Sequence, residues 1–123
     1  MARIESSLQR ACVAWFRVQY RSRADMLFAV PNGGGRSRVE AAIMKGEGVT
    51  PGVADLILLE PRGGFASLCI EMKKDAKARQ SEAQKAWQAA AESFGNKYVV
   101  CRSFEQFQET VRDYMNLPPS FEK

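Results

Sequence analysis

Three charged residues at the ends of two apolar segments have the types and spacing of a reaction centre. Asp55 opens an apolar run at residues 56–59, while Glu71 and Lys73 close the next run, one residue apart. Because side chains alternate along a strand, Glu71 and Lys73 are predicted to face the same side. The connection between the runs is too short for a crossover, so an antiparallel pair would bring Asp55 beside the other two.

Two carboxylates and an ammonium group at one end of a sheet are suited to metal-assisted hydrolysis. Hard carboxylate oxygens favour Mg²⁺ or Mn²⁺, and the backbone carbonyl of Met72 could add a third ligand. Lys73 could orient a water molecule, help to deprotonate it or stabilise negative charge on a phosphate, and the residues alone leave these roles open. The alternative is a solvated salt bridge at a strand edge, a common use of a Glu-x-Lys pair.

The composition excludes several other kinds of catalytic site. The 123 residues contain no histidine, which rules out Ser-His-Asp and Cys-His catalysis and His-containing zinc sites. The three cysteines, Cys12, Cys69 and Cys101, lack metal-ligand spacing and are expected to be reduced and buried. A net charge of +4 is compatible with a polyanionic partner.

Hydrophobic periodicity predicts one α/β domain with a mixed central sheet flanked by helices. Helices are predicted at residues 4–20, 37–45, 80–94 and 103–115, and strands at residues 27–30, 55–59, 65–73 and 98–101. The domain is expected to span residues 1–117, followed by a flexible tail at residues 118–123. No apolar run is long enough to cross a bilayer, and no signal peptide is visible, so a soluble, intracellular protein is expected.

Four short motifs, taken in order, resemble those of the VRR-NUC family in the PD-(D/E)XK nuclease superfamily. They are Pro31-Asn32-Gly33-Gly34, the segment from Gly48 to Leu56, Ile70-Glu71-Met72-Lys73, and Ser81-x-x-Gln84. The resemblance implies an α-β-β-β-α-β restriction-endonuclease-like core and Mg²⁺- or Mn²⁺-dependent cleavage of DNA. It also implies branched substrates such as Holliday junctions, homodimers, and the cytoplasm of a bacterium or phage-infected cell. One departure is that the superfamily's proline, here Pro51, is not adjacent to Asp55.

Carried over by position, the resemblance assigns roles to individual residues. Asp55 and Glu71 would hold the metal, with Lys73 as the catalytic lysine. Glu5 would add an acidic group from the first helix, although a first-turn acid also stabilises the helix dipole. Gln84 would point back into the site from the helix that follows, with a solvent-exposed helix position as the alternative.

Basic residues near the proposed centre form two clusters that could contact DNA phosphates. Together with Asn32 in the glycine-rich turn, the predicted DNA-binding set is Asn32, Arg36, Arg38, Lys45, Lys74, Lys77 and Arg79. Ordinary solubilising charge is the alternative for each basic residue. Four aromatic residues follow helical periodicity and are predicted to be core rather than base-stacking residues: Trp15, Trp87, Phe94 and Phe104.

Two alternatives to a nuclease remain at this stage. One is a nucleic-acid-binding module that keeps the nuclease fold without catalysis, although Asp55, Glu71 and Lys73 are all present. The other is an unrelated α/β protein in which the Glu-x-Lys pair is accidental. It would bind no divalent cation at this position.

Overall fold

The structure is a computed structural model that describes residues 2–31 and 37–121, with side chains from residue 6 onward. Its helices are α1 (Ala2–Gln19), α2 (Arg38–Gly46), α3 (Glu82–Ser93) and α4 (Phe104–Met115), with a 3-10 helix at Arg21–Met26. Its strands are β1 (Leu27–Ala29), β2 (Leu56–Leu58), β3 (Leu68–Met72) and β4 (Lys97–Cys101). None of the described helices has both the length and the apolar character needed to cross a membrane.

The four strands form one mixed sheet in the order β1-β2-β3-β4. Strand β2 is antiparallel to both β1 and β3, which confirms the predicted pairing across the short turn after β2. Strand β4 follows α3 in the chain and pairs parallel with β3. Parallel pairing is possible here because the connection that contains α3 is long enough for a crossover. The predicted α/β fold with a mixed, helix-flanked sheet is confirmed.

Helices cover both faces of this sheet. On one face α1 and α4 pack against the strands in the main core, whose fully buried members include Phe16, Leu56, Ile70, Phe107 and Tyr114. On the other face a smaller core forms around Cys69 and Tyr98, with Trp87 of α3 packed against it. Strand alternation therefore places Glu71, two residues after Cys69, on the α3 face.

Three of the four aromatic residues predicted to be core side chains pack against these two clusters, namely Trp15, Trp87 and Phe104. The prediction for Phe94 was wrong, since its side chain is 82% exposed. Helix α3 ends at Ser93, and Phe94 is its C-cap with backbone angles outside the helical range. Helical periodicity therefore no longer determines the direction of the Phe94 side chain.

Three of the helices have a serine at the N-cap position. Ser37, Ser81 and Ser103 each accept a hydrogen bond from the backbone amide three residues later. At Ser81 the side chain of the N3 residue, Gln84, also accepts a hydrogen bond from the backbone amide of Ser81, which completes a capping box. The predicted box at Ser103 is only half formed, because the Gln106 side chain accepts from the amide of Arg102 instead.

The three cysteines are free and buried, as the sequence predicted. Burial raises the pKa of the Cys12 thiol to about 12, and it also raises the pKa values of Cys69 and Cys101. The thiolate is the reactive form of cysteine, so these side chains behave as small apolar core groups.

A partly buried ionic network joins the turn after β2 to the end of α4. The Glu60 carboxylate accepts from Arg23 at 2.6 Å and pairs with Arg62 at 2.7 Å. Arg62 Nη1 also donates to the carbonyls of Met115 and Leu117, each at 3.1 Å. Arg62 thus satisfies carbonyls that the end of a helix leaves without partners.

The segment after α4 runs back along the same turn. The amide of Gly63 donates to the Pro118 carbonyl at 2.9 Å, and that of Ser120 donates to the Pro61 carbonyl at 3.3 Å. These hydrogen bonds involve residues that the sequence assigned to a flexible tail. The domain boundary at residue 117 stays a prediction.

Replacing Arg62 by alanine is expected to lower the free energy of unfolding by about 2 kcal/mol, because charge-assisted bonds to Glu60 and to two carbonyls are lost. Arg23→Ala is the matched control. It shares the Glu60 carboxylate but has a side chain 34% exposed, and should cost less than about 1 kcal/mol. Urea unfolding of the two variants measures the difference. Equal losses would contradict the role assigned to Arg62.

Candidate metal-dependent active site

The antiparallel register of β2 and β3 brings the predicted trio together. Leu56 pairs with Ile70, and continuing this register by one residue sets Asp55 opposite Glu71. Asp55 Oδ2 accepts a hydrogen bond from the amide of Met72 at 2.7 Å. The acidic residue that precedes β2 is therefore anchored to the backbone at the end of β3.

The loop that leads to Asp55 packs closely against α3. Gly52 has a φ of +84°, a conformation that favours glycine. A Cβ atom at this position would lie 2.2 Å from the carbonyl oxygen of Ala83 and 2.8 Å from the amide of Gln84. Only a residue without a side chain allows the loop to rest on the first turn of α3 at this distance.

Glu71 is the most deeply buried acidic residue among those described, with 1% of its surface exposed. Its Oε1 atom accepts hydrogen bonds from the Tyr98 hydroxyl and from Gln80 Nε2, the latter at 3.2 Å. Its Oε2 atom lies 3.2 Å from Lys73 Nζ, without the alignment of a hydrogen bond. One oxygen of this buried carboxylate is thus hydrogen-bonded, and the only partner of the other among the described residues is the ammonium of Lys73.

Lys73 links Glu71 to the first turn of α3. Its side chain is 12% exposed, and Nζ donates to Gln84 Oε1 at 3.0 Å. The same Oε1 atom accepts from the amide of Ser81 at 2.8 Å, as part of the capping box. The structure therefore places Gln84 beside Lys73, with its side chain held by the start of the helix.

Two residues that contact Glu71 were not predicted from the sequence, namely Tyr98 and Gln80. Burial is the first cause that raises the pKa of Tyr98 well above its ordinary value, and its hydrogen bond to Glu71 raises it further. The Tyr98 hydroxyl accordingly stays protonated and donates a hydrogen bond to Glu71 Oε1. Tyr98 pairs with Cys69 in the parallel β3–β4 register, which puts it on the Glu71 face. The only signal in the sequence was a polar aromatic residue in an otherwise apolar strand.

The donor chemistry of the centre fits a divalent cation. Glu71 Oε2 is a buried anionic oxygen without a hydrogen bond, and Asp55 supplies a second carboxylate nearby. Within residues 6–31 and 37–121, whose side chains the structure describes, no group of three or more histidine, cysteine, aspartate or glutamate side chains is close enough to hold a metal ion. Glu5 lies in α1 and its side chain is outside the described part. Its role, and that of the Met72 carbonyl, stay predictions.

The residues predicted to bind DNA divide into two groups. Five have exposed side chains in the structure: Arg38, Lys45, Lys74, Lys77 and Arg79. The first two lie on α2 and the other three in the loop between β3 and α3, which begins at the proposed centre. The remaining two lie outside the described residues: Asn32 and Arg36.

The loop between β3 and α3 is held by hydrogen bonds of its own. Asp75 Oδ1 accepts from the amides of Lys77 and Ala78, each at 2.9 Å. Arg102, which follows β4, donates to the carbonyls of Asp75 and Ala78. The backbone that carries Lys74, Lys77 and Arg79 is thus fixed relative to β4.

Comparisons with known proteins agree with this geometry. A family model described as the VRR-NUC domain matches residues 3–105. A solved structure described as a "VRR_NUC domain protein" is 27% identical to this chain and superimposes with a TM-score of 0.83. The match covers 94% of this chain and 90% of that one. No curated protein matches the sequence at a significant level.

Proposed function

The chain belongs to the VRR-NUC domain family, and from that membership we propose that it is a metal-dependent endonuclease that hydrolyses DNA phosphodiester bonds. The observation that carries the proposal is the buried Glu71 carboxylate. It lies in an ion pair with Lys73 and opposite Asp55, at the end of β3. A buried carboxylate with a second acidic residue and a lysine beside it is costly for a purely structural role and is typical of sites that bind cations and phosphates.

In this proposal Asp55 and Glu71 hold Mg²⁺ or Mn²⁺, with Glu5 and the Met72 carbonyl as further candidates. The bound cation would lower the pKa of a water molecule and neutralise charge that develops on the phosphate. Lys73 places a positive charge next to Glu71, where it can orient the attacking water or stabilise the same developing charge. Gln84 fixes the direction of the Lys73 ammonium group.

DNA binding in this proposal relies on the exposed basic residues of α2 and of the loop between β3 and α3. Lysine and arginine contacts to phosphates give affinity without sequence preference and make binding sensitive to salt. Fixing the loop through Arg102 and Asp75 favours a constant distance between these contacts and Glu71. Asn32 and Arg36 complete the proposed set.

We further propose a preference for branched DNA such as a Holliday junction, cut by a homodimer. Two symmetry-related cuts require two active sites, which a two-fold dimer supplies. Light scattering of the purified chain measures its mass, and a monomeric mass at the assay concentration would contradict the dimer. Such an enzyme would act in the cytoplasm of a bacterium or of a phage-infected cell, where its substrate is found.

One experiment tests the proposal and its alternatives. The purified chain is incubated with a four-way junction and with a linear duplex, each in Mg²⁺, Mn²⁺ or EDTA, beside Asp55→Ala. Cleavage that needs the cation, is lost in the variant and is faster on the junction is the expected result. Metal-independent binding without cleavage would instead favour an inactive binding module. Equal cleavage of both DNAs would reject only the junction preference.

Replacing Gln84 by alanine is expected to lower kcat about tenfold, because the ammonium of Lys73 loses a charge-assisted hydrogen bond. Gln84→Glu keeps an acceptor at this position and should restore most of the rate. The control is Ser81→Ala, which weakens the helix cap but leaves the acceptor for Lys73. If Ser81→Ala lowered kcat equally, Gln84 would act through helix stability alone.

A further inference from the structure

The two oxygens of the Glu71 carboxylate have different surroundings. Oε1 faces hydrogen-bond donors from β4 and from the segment before α3, whereas Oε2 faces Lys73. Because the carboxylate is almost fully buried, bulk water does not equalise the two oxygens. This asymmetry comes from Tyr98 and Gln80, the two neighbours that were not predicted from the sequence.

The donors to Oε1 are themselves held in place. Tyr98 is 7% exposed, and its ring packs against Trp87 of α3 with the centroids 6.0 Å apart. Gln80 Nε2, which donates to Oε1, also donates to Gln88 Oε1 at 2.9 Å and approaches the Tyr98 hydroxyl at 3.5 Å. The Oε1 side of Glu71 is therefore a connected set of side chains anchored on α3 and β4.

We propose that Tyr98 and Gln80 are positioning residues that restrict Glu71 to binding a cation through Oε2 alone, and that this restriction selects Mg²⁺ or Mn²⁺ over Ca²⁺. The inference rests on the proposed function, because it concerns the same metal site. Mg²⁺ requires six ligands in near-ideal octahedral geometry and takes one oxygen from each carboxylate. Ca²⁺ accepts six to eight oxygens and gains from a carboxylate that offers both. Hydrogen bonds that occupy Oε1 remove this advantage of Ca²⁺.

Metal binding without DNA tests the inference independently of cleavage. The full chain is titrated with Mn²⁺ while electron paramagnetic resonance measures the free ion, and Ca²⁺ is then titrated in to displace it. Tyr98→Phe is expected to raise the Kd for Mn²⁺ about tenfold, the usual effect of losing a group that orients a ligand. The Kd for Ca²⁺ should change little, so the ratio of the Ca²⁺ to the Mn²⁺ constant should fall by about the same factor.

Two further variants keep the result interpretable. Gln80→Ala removes the other donor to Oε1 from a loop rather than from the core, and should change the ratio in the same direction. Tyr114→Phe is the matched control, since it removes a buried hydroxyl that donates to the Glu60 carbonyl on the other face of the sheet. It should leave both constants unchanged.

The outcomes separate this inference from the proposed function. Mn²⁺ binding that Glu71→Gln abolishes, with an unchanged ion ratio in Tyr98→Phe and Gln80→Ala, would overturn the inference and leave the proposed metal site standing. An equal change of the ratio of the Ca²⁺ and Mn²⁺ Kd values in Tyr114→Phe would overturn the inference as well. The effect would then come from a general loss of core packing. Failure of the wild-type chain to bind Mn²⁺ would overturn both.

Discussion

Replacing Lys73 by alanine is expected to reduce DNA cleavage about a thousandfold, the upper range for removing one group that stabilises developing charge. Its ammonium lies 3.2 Å from Glu71 Oε2 and 3.0 Å from Gln84 Oε1, and among the described residues no other basic side chain forms an ion pair with Glu71. Single-turnover cleavage of a labelled junction in Mg²⁺ measures the loss in the chemical step. DNA binding in EDTA should be nearly unchanged, because one phosphate contact at most is removed.

Lys85→Ala is the matched control for this substitution. Lys85 lies on α3 and is 59% exposed in its side chain, and its only ion pair with a described residue is that with the exposed Glu82. Its removal should leave both cleavage and stability within error of the wild type. Circular dichroism of Lys73→Ala is needed as well, because the variant leaves Glu71 buried without its ion pair. A folded Lys73→Ala protein that cuts within tenfold of the wild-type rate would reject Lys73 as a catalytic residue.

Replacing Gly52 by alanine is expected to lower the free energy of unfolding by about 3–4 kcal/mol, from a strained backbone and an overpacked contact together. The added methyl group would meet the backbone of Ala83, and not the far end of a flexible side chain. The first turn of α3 must therefore move, and Gln84 moves with it. Cleavage should fall more than the loss of folded protein explains, because Lys73 loses its hydrogen-bond acceptor.

Gly48→Ala separates the two causes of this effect. Gly48 lies in the same loop with a φ of +103°, but no atom of the described residues lies within 4 Å of the position where its Cβ would be. Gly48→Ala should therefore lower the free energy of unfolding by about 1 kcal/mol, from the left-handed backbone alone, and should keep its cleavage rate. Thermal unfolding and single-turnover rates of both variants provide the comparison. Similar losses in the two variants would show that contact with α3 is unimportant.

The arrangement of Asp55, Glu71 and Lys73 could be predicted from the sequence because strand alternation and a short connection leave few ways to place these residues. Alternation within a strand places Glu71 with Lys73, and a short turn between two apolar strands leaves only an antiparallel partner for Asp55. The helices were predictable for a similar reason, since apolar periodicity and serine caps are local signals.

The rest of the site depends on contacts that are distant in sequence. Tyr98 reaches Glu71 only because β4 pairs with β3 in one particular register, and a shift by one residue would turn it to the other face. The close contact of Gly52 with Ala83 depends on how a loop packs against a helix, which no periodicity encodes. The exposure of Phe94 was missed because helix ends are defined by backbone angles at single residues.

The pairing of β3 with β4 also has a consequence for the order in which the site is assembled during folding. Strands β2 and β3 pair across the short segment 59–67, whereas β4 reaches β3 only through the longer segment 73–96 that contains α3. Closing a longer loop costs more entropy before any contact repays it, so we expect the parallel pair to form later. A folding intermediate limited to the β2–β3 pair would bring Asp55 to the end of β3, next to Glu71, but would lack the hydroxyl of Tyr98. Completion of the fold and orientation of the carboxylate would then be the same late event.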